Sequence, residues 1–288
     1  MKSSAADLET CFRTLLPLYN QLFNMKLLPA VLVLSSHLFR ISFLLQDTRP
    51  SVTVLTRIVD TYSPTEINQQ PAAVVCSWRY LKGRMELVQF FHADTALSDL
   101  RLAFQQCPAK FPRLRRLILI FLTTAAILRG HRPFPKLLAR YNLLVGFPVL
   151  LFECLRKGNL AQFLNILNTP ETTLFHLRHG TYEVLRRAGE LLCQRALARR
   201  TLQLSPSLLE NRTMLDLATF RFFLSLVYQR SVDEAEAEMT VCNLIRQGYL
   251  KGVVAFGQGY ASLSRVQAFP PLQSAYGILV KQQASAPS

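Results

Sequence analysis

Glycine is scarce in this chain, 11 of 288 residues, which disfavours a fold built on many tight β-turns. Cysteine is sparse and scattered: Cys11, Cys76, Cys107, Cys154, Cys193 and Cys242 form no CxxC pair and no Cys/His cluster at zinc spacing. The plain reading is buried free thiols in a reducing compartment. Acids are few, 18 against 33 lysines and arginines. Long apolar runs are also missing. Leu117 to Leu128 is uninterrupted, but a bilayer span needs roughly 20 residues. Leu27 to Leu45 is long enough but is broken by Pro29, His37 and Arg40. The N-terminus places polar residues and acids before any apolar run, a poor signal peptide. No membrane contact is expected, and the apolar runs read as helices buried on several sides.

Catalytic vocabulary is absent as well. There is no Gly-rich phosphate loop, no HExxH and no GxSxG, so no cofactor and no small-molecule substrate is expected and the chain reads as a non-enzyme. His176 and His179 stand three apart on a predicted helix, but no nearby acid or cysteine completes a metal site. His37, His92 and His131 are isolated. Glu234, Glu236 and Glu238 sit near a helix start, where acids favour the helix dipole.

What is present is hydrophobic mass and positive charge. Half of the residues are hydrophobic, enough for one large core or two small ones. Leu, Arg, Ala and Phe dominate, which favours helices. The net charge is +15 and is unevenly placed. From Arg101 to Lys157 there are 11 basic residues and one acid, Glu153, so 11 − 1 = +10 falls in that window. Such a surplus suits an acidic partner, whether nucleic acid or protein.

Hydrophobic periodicity predicts helices over 7–24, 26–46 and 51–62, stopped by Ser63-Pro64. Ala72 to Tyr80 and Met85 to Phe91 read as a helix pair around Gly83. Asp94 is the expected N-cap of the next helix. Pro108 and Pro112 precede an apolar helix over 113–129, with Gly130 as its C-terminal cap. Pro135 opens a helix to about Val145, and Pro148 opens another that ends at Gly158. Asn159 to Asn168 carries Leu160, Phe163, Leu164 and Leu167 on one stripe, and Thr169-Pro170 starts the next helix. Short helices joined by short loops predict a stacked-helix solenoid.

The pattern then changes. A basic helix over 186–202 is followed by a second over 215–228, with Leu217, Phe220, Leu224 and Val227 inward. A third helix follows Ser231-Val232-Asp233-Glu234, which reads as a capping box, and ends at Gly248. Gly252 to Phe256 and Tyr260 to Val266 then form strands around Gly257-Gln258-Gly259. Three helices and a hairpin make a winged helix. Phe256 and Tyr260 are expected in the hairpin's own core. The fold class is therefore all-α with a small β hairpin: a solenoid over 1–184, a winged-helix module over 185–272 and a tail over 273–288 that is polar from Gln282 on.

Particular residues carry a closer likeness. Tyr80-Leu81-Lys82-Gly83-Arg84 with Leu102 to Cys107 resembles a repeat ending in an "AF..C" helix. Arg115 to Leu122 resembles "KR.ILIYL", Leu128 to Pro133 "LLGH.P", and Gly158-Asn159-Leu160 matches "GNL". Asn243 to Gly252 resembles "NLIY.GYIKG", and Phe269-Pro270-Pro271-Leu272 matches "FPPL". In this order they resemble the PCI domain of proteasome-lid, signalosome and initiation-factor subunits, and most closely its mRNA-export branch. The likeness covers roughly residues 35 to 272. Three features depart from it: a shortened helical N-terminal extension is expected, "YRNLF" is here Gln194-Arg195-Ala196-Leu197-Ala198, and the acidic stretch before the third helix keeps only Asp233 and Glu236 at matching places.

The resemblance implies a nuclear scaffold subunit at the nuclear envelope or pore, with some cytoplasmic presence. It implies two protein partners: a GANP-type scaffold and a small acidic disordered protein shared with the proteasome lid. Arg113, Arg115 and Arg116, with Arg132, Lys136 and Arg140, are the groups expected to receive acidic segments. For RNA or DNA, Arg195, Arg199 and Arg200 share a helical face, Lys251 and Arg265 flank the wing, and Arg246 ends the third helix. These can neutralise phosphates without reading sequence. Glu234, Glu236 and Glu238 at the start of the third helix would repel a phosphate backbone, which argues against groove reading there. A PCI subunit of a lid, signalosome or initiation assembly, its winged helix used only for oligomerisation, is the alternative.

Overall fold

A computed structural model describes residues 5–204 and 213–272. The tail predicted over 273–288 lies outside the described residues. Contacts divide the chain into two units, Met1–Ala125 and Ala126–Ser288.

The first unit holds α1 (Ala5–Asn24), α2 (Leu28–Leu45), α3 (Arg49–Thr61), α4 (Pro64–Asn68), α5 (Ala72–Gln89), α6 (Ala93–Gln106) and most of α7 (Pro112–Leu128). α2 packs against α1, α3 and α5, so a helix hydrophobic on several faces finds several neighbours. It is long and apolar enough to cross a membrane, and 50% of it is buried inside the protein. Its Phe39 stacks on Trp78 of α5 with ring centroids 5.6 Å apart. Ser63 caps α4 through a capping box with Glu66.

Two expectations for this unit are corrected. α5 is one helix through Gly83, not a pair around it. Gly83 is there for packing: a Cβ on it would lie 2.8 Å from Leu100 Cγ, where α6 crosses. Asp94 is not the N-cap of α6 but sits in its first turn, after His92.

The second unit continues with α8 (Pro135–Arg140), α9 (Val149–Lys157), α10 (Leu160–Leu167), α11 (Pro170–His179) and α12 (Tyr182–Leu204). α8 stops at Arg140 rather than near Val145, because Asn142 turns left-handed (φ 53°) and the N–H of Leu143 reaches back to the Leu138 carbonyl at 2.9 Å. Gly158 ends α9 at φ 72°, and a Cβ there would come within 3.0 Å of the α12 backbone. Asn159 then caps α10 by accepting the N–H of Gln162 at 3.1 Å. The Gly-Asn-Leu motif thus combines a turn, a cap and, in Leu160, a buried anchor.

After α12 come β1 (Met214–Asp216), α13 (Leu217–Tyr228), α14 (Glu234–Arg246), β2 (Gly252–Ala255) and β3 (Tyr260–Leu263). The strands form an antiparallel sheet in the order β1-β3-β2, with Leu215 and Val254 both paired to Ala261. Helix, strand, two helices and a hairpin make a winged helix, and Phe220, Val241, Leu244 and Tyr249 lie in its core. The predicted second helix began too early: Met214 to Asp216 is a strand, and Asp216 caps α13 by accepting the N–H of Thr219 at 2.9 Å. Asp233, not Ser231, caps α14, accepting the N–H of Glu236 at 2.6 Å. Phe256 is not in the hairpin core; it is 62% exposed, while Tyr260 is half-buried. The Glu238 carboxylate accepts the N–H of Gly257 at 2.9 Å and fastens the wing turn to α14.

Candidate functional site

The second unit contains an open cleft of about 530 Å³. α12 supplies one wall because its faces differ: Leu192, Leu197 and Ala198 go into the core, while Arg199 and Arg200 stay exposed. The turn after α7 supplies the second wall. Gly130 adopts φ 73°, and the N–H of His131 bonds to the Ala126 carbonyl at 2.8 Å, a Schellman-type ending that delivers His131 and Arg132 to the rim. α9 supplies the third, with Phe152, Glu153 and Arg156. Ile127, Leu155, Leu192 and Leu272 add apolar surface.

Five arginines line this space, Arg132, Arg156, Arg195, Arg199 and Arg200, against one carboxylate, Glu153. Glu153 makes a loose pair with Lys157 at 3.8 Å, both partly exposed. The cleft is therefore strongly cationic with an apolar lining, suited to an anion that carries a flat or apolar group.

Two sets of residues that the sequence kept apart meet here. Arg132 comes from the set assigned to acidic protein, and Arg195, Arg199 and Arg200 from the set assigned to nucleic acid. Lys136 and Arg140 are exposed on α8 and do not line the cleft. Arg246, Lys251 and Arg265 are exposed elsewhere on the winged helix. In the first unit Arg113 is exposed, Arg116 is half-buried, and the Arg115 guanidinium lies 4.7 Å from the Phe104 ring centroid. Sequence reasoning missed Arg156 and Phe152. Arg156 lay inside the basic window, but nothing in the sequence tells which helix face would meet α12.

Arg195 is the least free of the five. Its Nε donates to the Tyr249 carbonyl at 3.2 Å and its Nη2 to the Pro270 carbonyl at 2.8 Å, with the Phe269 ring 5.8 Å away. Burial, and then the charge of Arg199, draw its pKa below the ordinary arginine value. It still remains a cation.

His176 is fully buried. Its Nε2 lies 2.7 Å from the Gly146 carbonyl and its Nδ1 2.8 Å from the Thr181 hydroxyl. A carbonyl can only accept, so Nε2 carries the proton and Nδ1 accepts from Thr181. Desolvation lowers its pKa from 6.5 to about 4. This histidine is a neutral strut. Among the described residues no three His, Cys, Asp or Glu side chains gather as a metal site.

No protein-family model matches the chain. Curated relatives do. A homologue of PCI domain-containing protein 2 from Caenorhabditis briggsae is 28% identical over 275 residues, 95% of this chain and 63% of its own length. PCI domain-containing protein 2 of Xenopus laevis is 26% identical over 276 residues, 95% of this chain and 65% of its own. The Danio rerio protein of the same name is 30% identical over 201 residues, 69% of this chain and 47% of its own. The chain thus spans between about half and two thirds of the length of these relatives. Together with a helical fold that ends in a small three-stranded sheet, they support a PCI-domain protein.

Proposed function

We propose that the chain is a non-enzymatic scaffold subunit of a nuclear mRNA-export complex. It pairs with a GANP-type scaffold and with the small acidic disordered protein shared with the proteasome lid. It acts at the nuclear envelope or pore and contributes a basic surface for non-specific RNA or DNA contact. The observation that carries this reading is the convergence of five arginines on one cleft beside a winged helix. The order of motifs from Tyr80 to Leu272 supports the export branch. Exposed Arg246, Lys251 and Arg265 add positive charge on the same module.

A second reading has its own support. Phe222 and Leu226 lie four apart on α13 and are 60% and 59% exposed. An apolar pair on a winged helix suits subunit packing in a lid, signalosome or initiation assembly.

The test is a pull-down from native extract with the tagged chain, followed by RNA binding of the recovered complex across a salt series. A GANP-like scaffold and a small acidic protein are expected, with a log–log salt slope of about −3 or steeper. Recovery of lid, signalosome or initiation-factor subunits without RNA binding would sink the export reading.

A further inference from the structure

The cleft has more than charge. We infer that it takes one unstacked nucleotide of a single strand, with the flanking phosphates on the arginines and the base against Phe152 and Glu153. This rests on the RNA-contact reading and gives it a substrate class.

Three observations point this way. The first is shape. The cleft is a concavity of about 530 Å³, within the range of pockets that hold small flat molecules. Neutralising a duplex needs only a basic surface, because its phosphates point outward and its bases stay stacked. A recess is useful only to a base that has left the stack.

The second is lining. Phe152 contributes an aromatic ring to the lining, and Ile127, Leu192 and Leu272 contribute apolar surface. Arg132, Arg156, Arg199 and Arg200 are exposed at the same cleft. An aromatic group beside arginines is the usual chemistry of single-strand binding. Arg195 is committed to the Tyr249 and Pro270 carbonyls and contributes mainly field.

The third is the lone acid. Glu153 repels a peptide's carboxylates and a strand's phosphates alike, so what it selects is a ligand that places a donor against it, and an acidic peptide could do so only through its backbone N–H groups. A nucleobase does bring donors. Cytosine presents an N4 amine to a carboxylate, whereas uracil presents a carbonyl oxygen at the equivalent position. Glu153 therefore favours cytosine, whose amine donates freely, over uracil, whose single N3–H lies between two carbonyl oxygens that repel a carboxylate, although the phosphates on either side are the same.

The test measures binding of the full chain to 12-nucleotide oligo(C), oligo(U) and a duplex RNA by fluorescence anisotropy across a salt series. Oligo(C) is expected to bind about tenfold tighter than oligo(U), as one hydrogen bond to a charged group allows. The duplex is expected to bind more weakly than oligo(C). Phe152→Leu keeps apolar bulk and removes the π-face, and should weaken oligo(C) about fivefold. Arg199→Ala with Arg200→Ala changes only exposed side chains and should lower the salt slope by about 1.4. Glu153→Gln presents both an acceptor and a donor, so the preference for cytosine should collapse. Simple relief of repulsion would instead strengthen both oligomers equally.

Equal binding of oligo(C) and oligo(U) by the unaltered chain overturns the inference and leaves the backbone-contact reading intact. So does a duplex that binds as tightly and ignores Phe152→Leu. If poly-glutamate binds and is lost in the double arginine variant while oligo(C) is unaffected, the cleft is a peptide site and the inference fails. If no RNA binds under any salt condition, both readings fail together.

Discussion

Arg195 on α12 donates from Nη2 to the carbonyl of Pro270 at 2.8 Å, and from Nε to that of Tyr249 at 3.2 Å. One side chain thus ties the first helix of the winged module to the end of its third helix and to the stretch beyond the wing. Arg195 belongs to the helical face read from the sequence as a nucleic-acid contact, yet its hydrogen bonds are internal.

Arg195→Lys keeps the charge and loses the two-pronged geometry. A loss of about 1–3 kcal/mol in urea unfolding is expected. Arg199→Ala and Arg200→Ala, both exposed, should stay within about 0.5 kcal/mol. Equal stability losses for all three would show that Arg195 is no more structural than its neighbours.

His176 makes stability depend on pH. Its folded pKa of about 4 lies below the ordinary 6.5, so between these values the unfolded chain binds the extra proton. The neutral ring's contribution is complete above about pH 6.5, falls as pH drops toward 4 and then levels off. The loss over that window is about 3 kcal/mol. Urea midpoints measured from pH 7 to 4.5 should show this slope, and His176→Gln should flatten it from a lower starting stability.

Gly158 is both left-handed, at φ 72°, and within 3.0 Å of the α12 backbone at a built Cβ. Gly158→Ala meets strain and a clash with main chain, which cannot rotate away as a side chain would. A loss of about 2–4 kcal/mol is expected by thermal melting. A neutral result would mean that α9 and α12 separate at little cost.

Asp99 accepts from Lys82 at 2.6 Å and from Arg79 at 3.4 Å, and all three side chains are largely buried. Arg79 also donates to Asn68. Asp99→Ala leaves Lys82 with Glu86 at 3.3 Å as its remaining carboxylate and takes the ion-pair partner from the buried Arg79, at a cost of about 3–5 kcal/mol. The check is chemical denaturation, where Asp99→Asn, which keeps a side-chain acceptor for Arg79 and Lys82, should recover part of the loss.

Much of this architecture is legible in sequence because its punctuation is local. Gly130, Gly158 and Gly248 end helices with φ values of 73°, 72° and 75°, and each follows a run with helical periodicity. Met214 to Asp216 was not legible: three residues are too few for a period of two to show against the helix that follows. Phe256 misled for another reason. Aromatic residues in a short hairpin usually pack inward, yet this one sits at the mouth of a glycine turn and is largely exposed. The cleft was the least legible feature of all. Its arginines come from α9, α12 and the turn after α7, and their meeting is set by helix packing rather than by spacing along the chain.

α12 packs against α9, α10 and α11 and also against α13, α14 and β1. A single rod shared by two sets of neighbours cannot be released by opening one set. Its amide hydrogens should therefore exchange with solvent only when the whole second unit opens, making α12 the slowest-exchanging segment there. Arg199 and Arg200 would then be presented on the most rigid backbone in that unit, so a ligand docking on them meets a surface already in place.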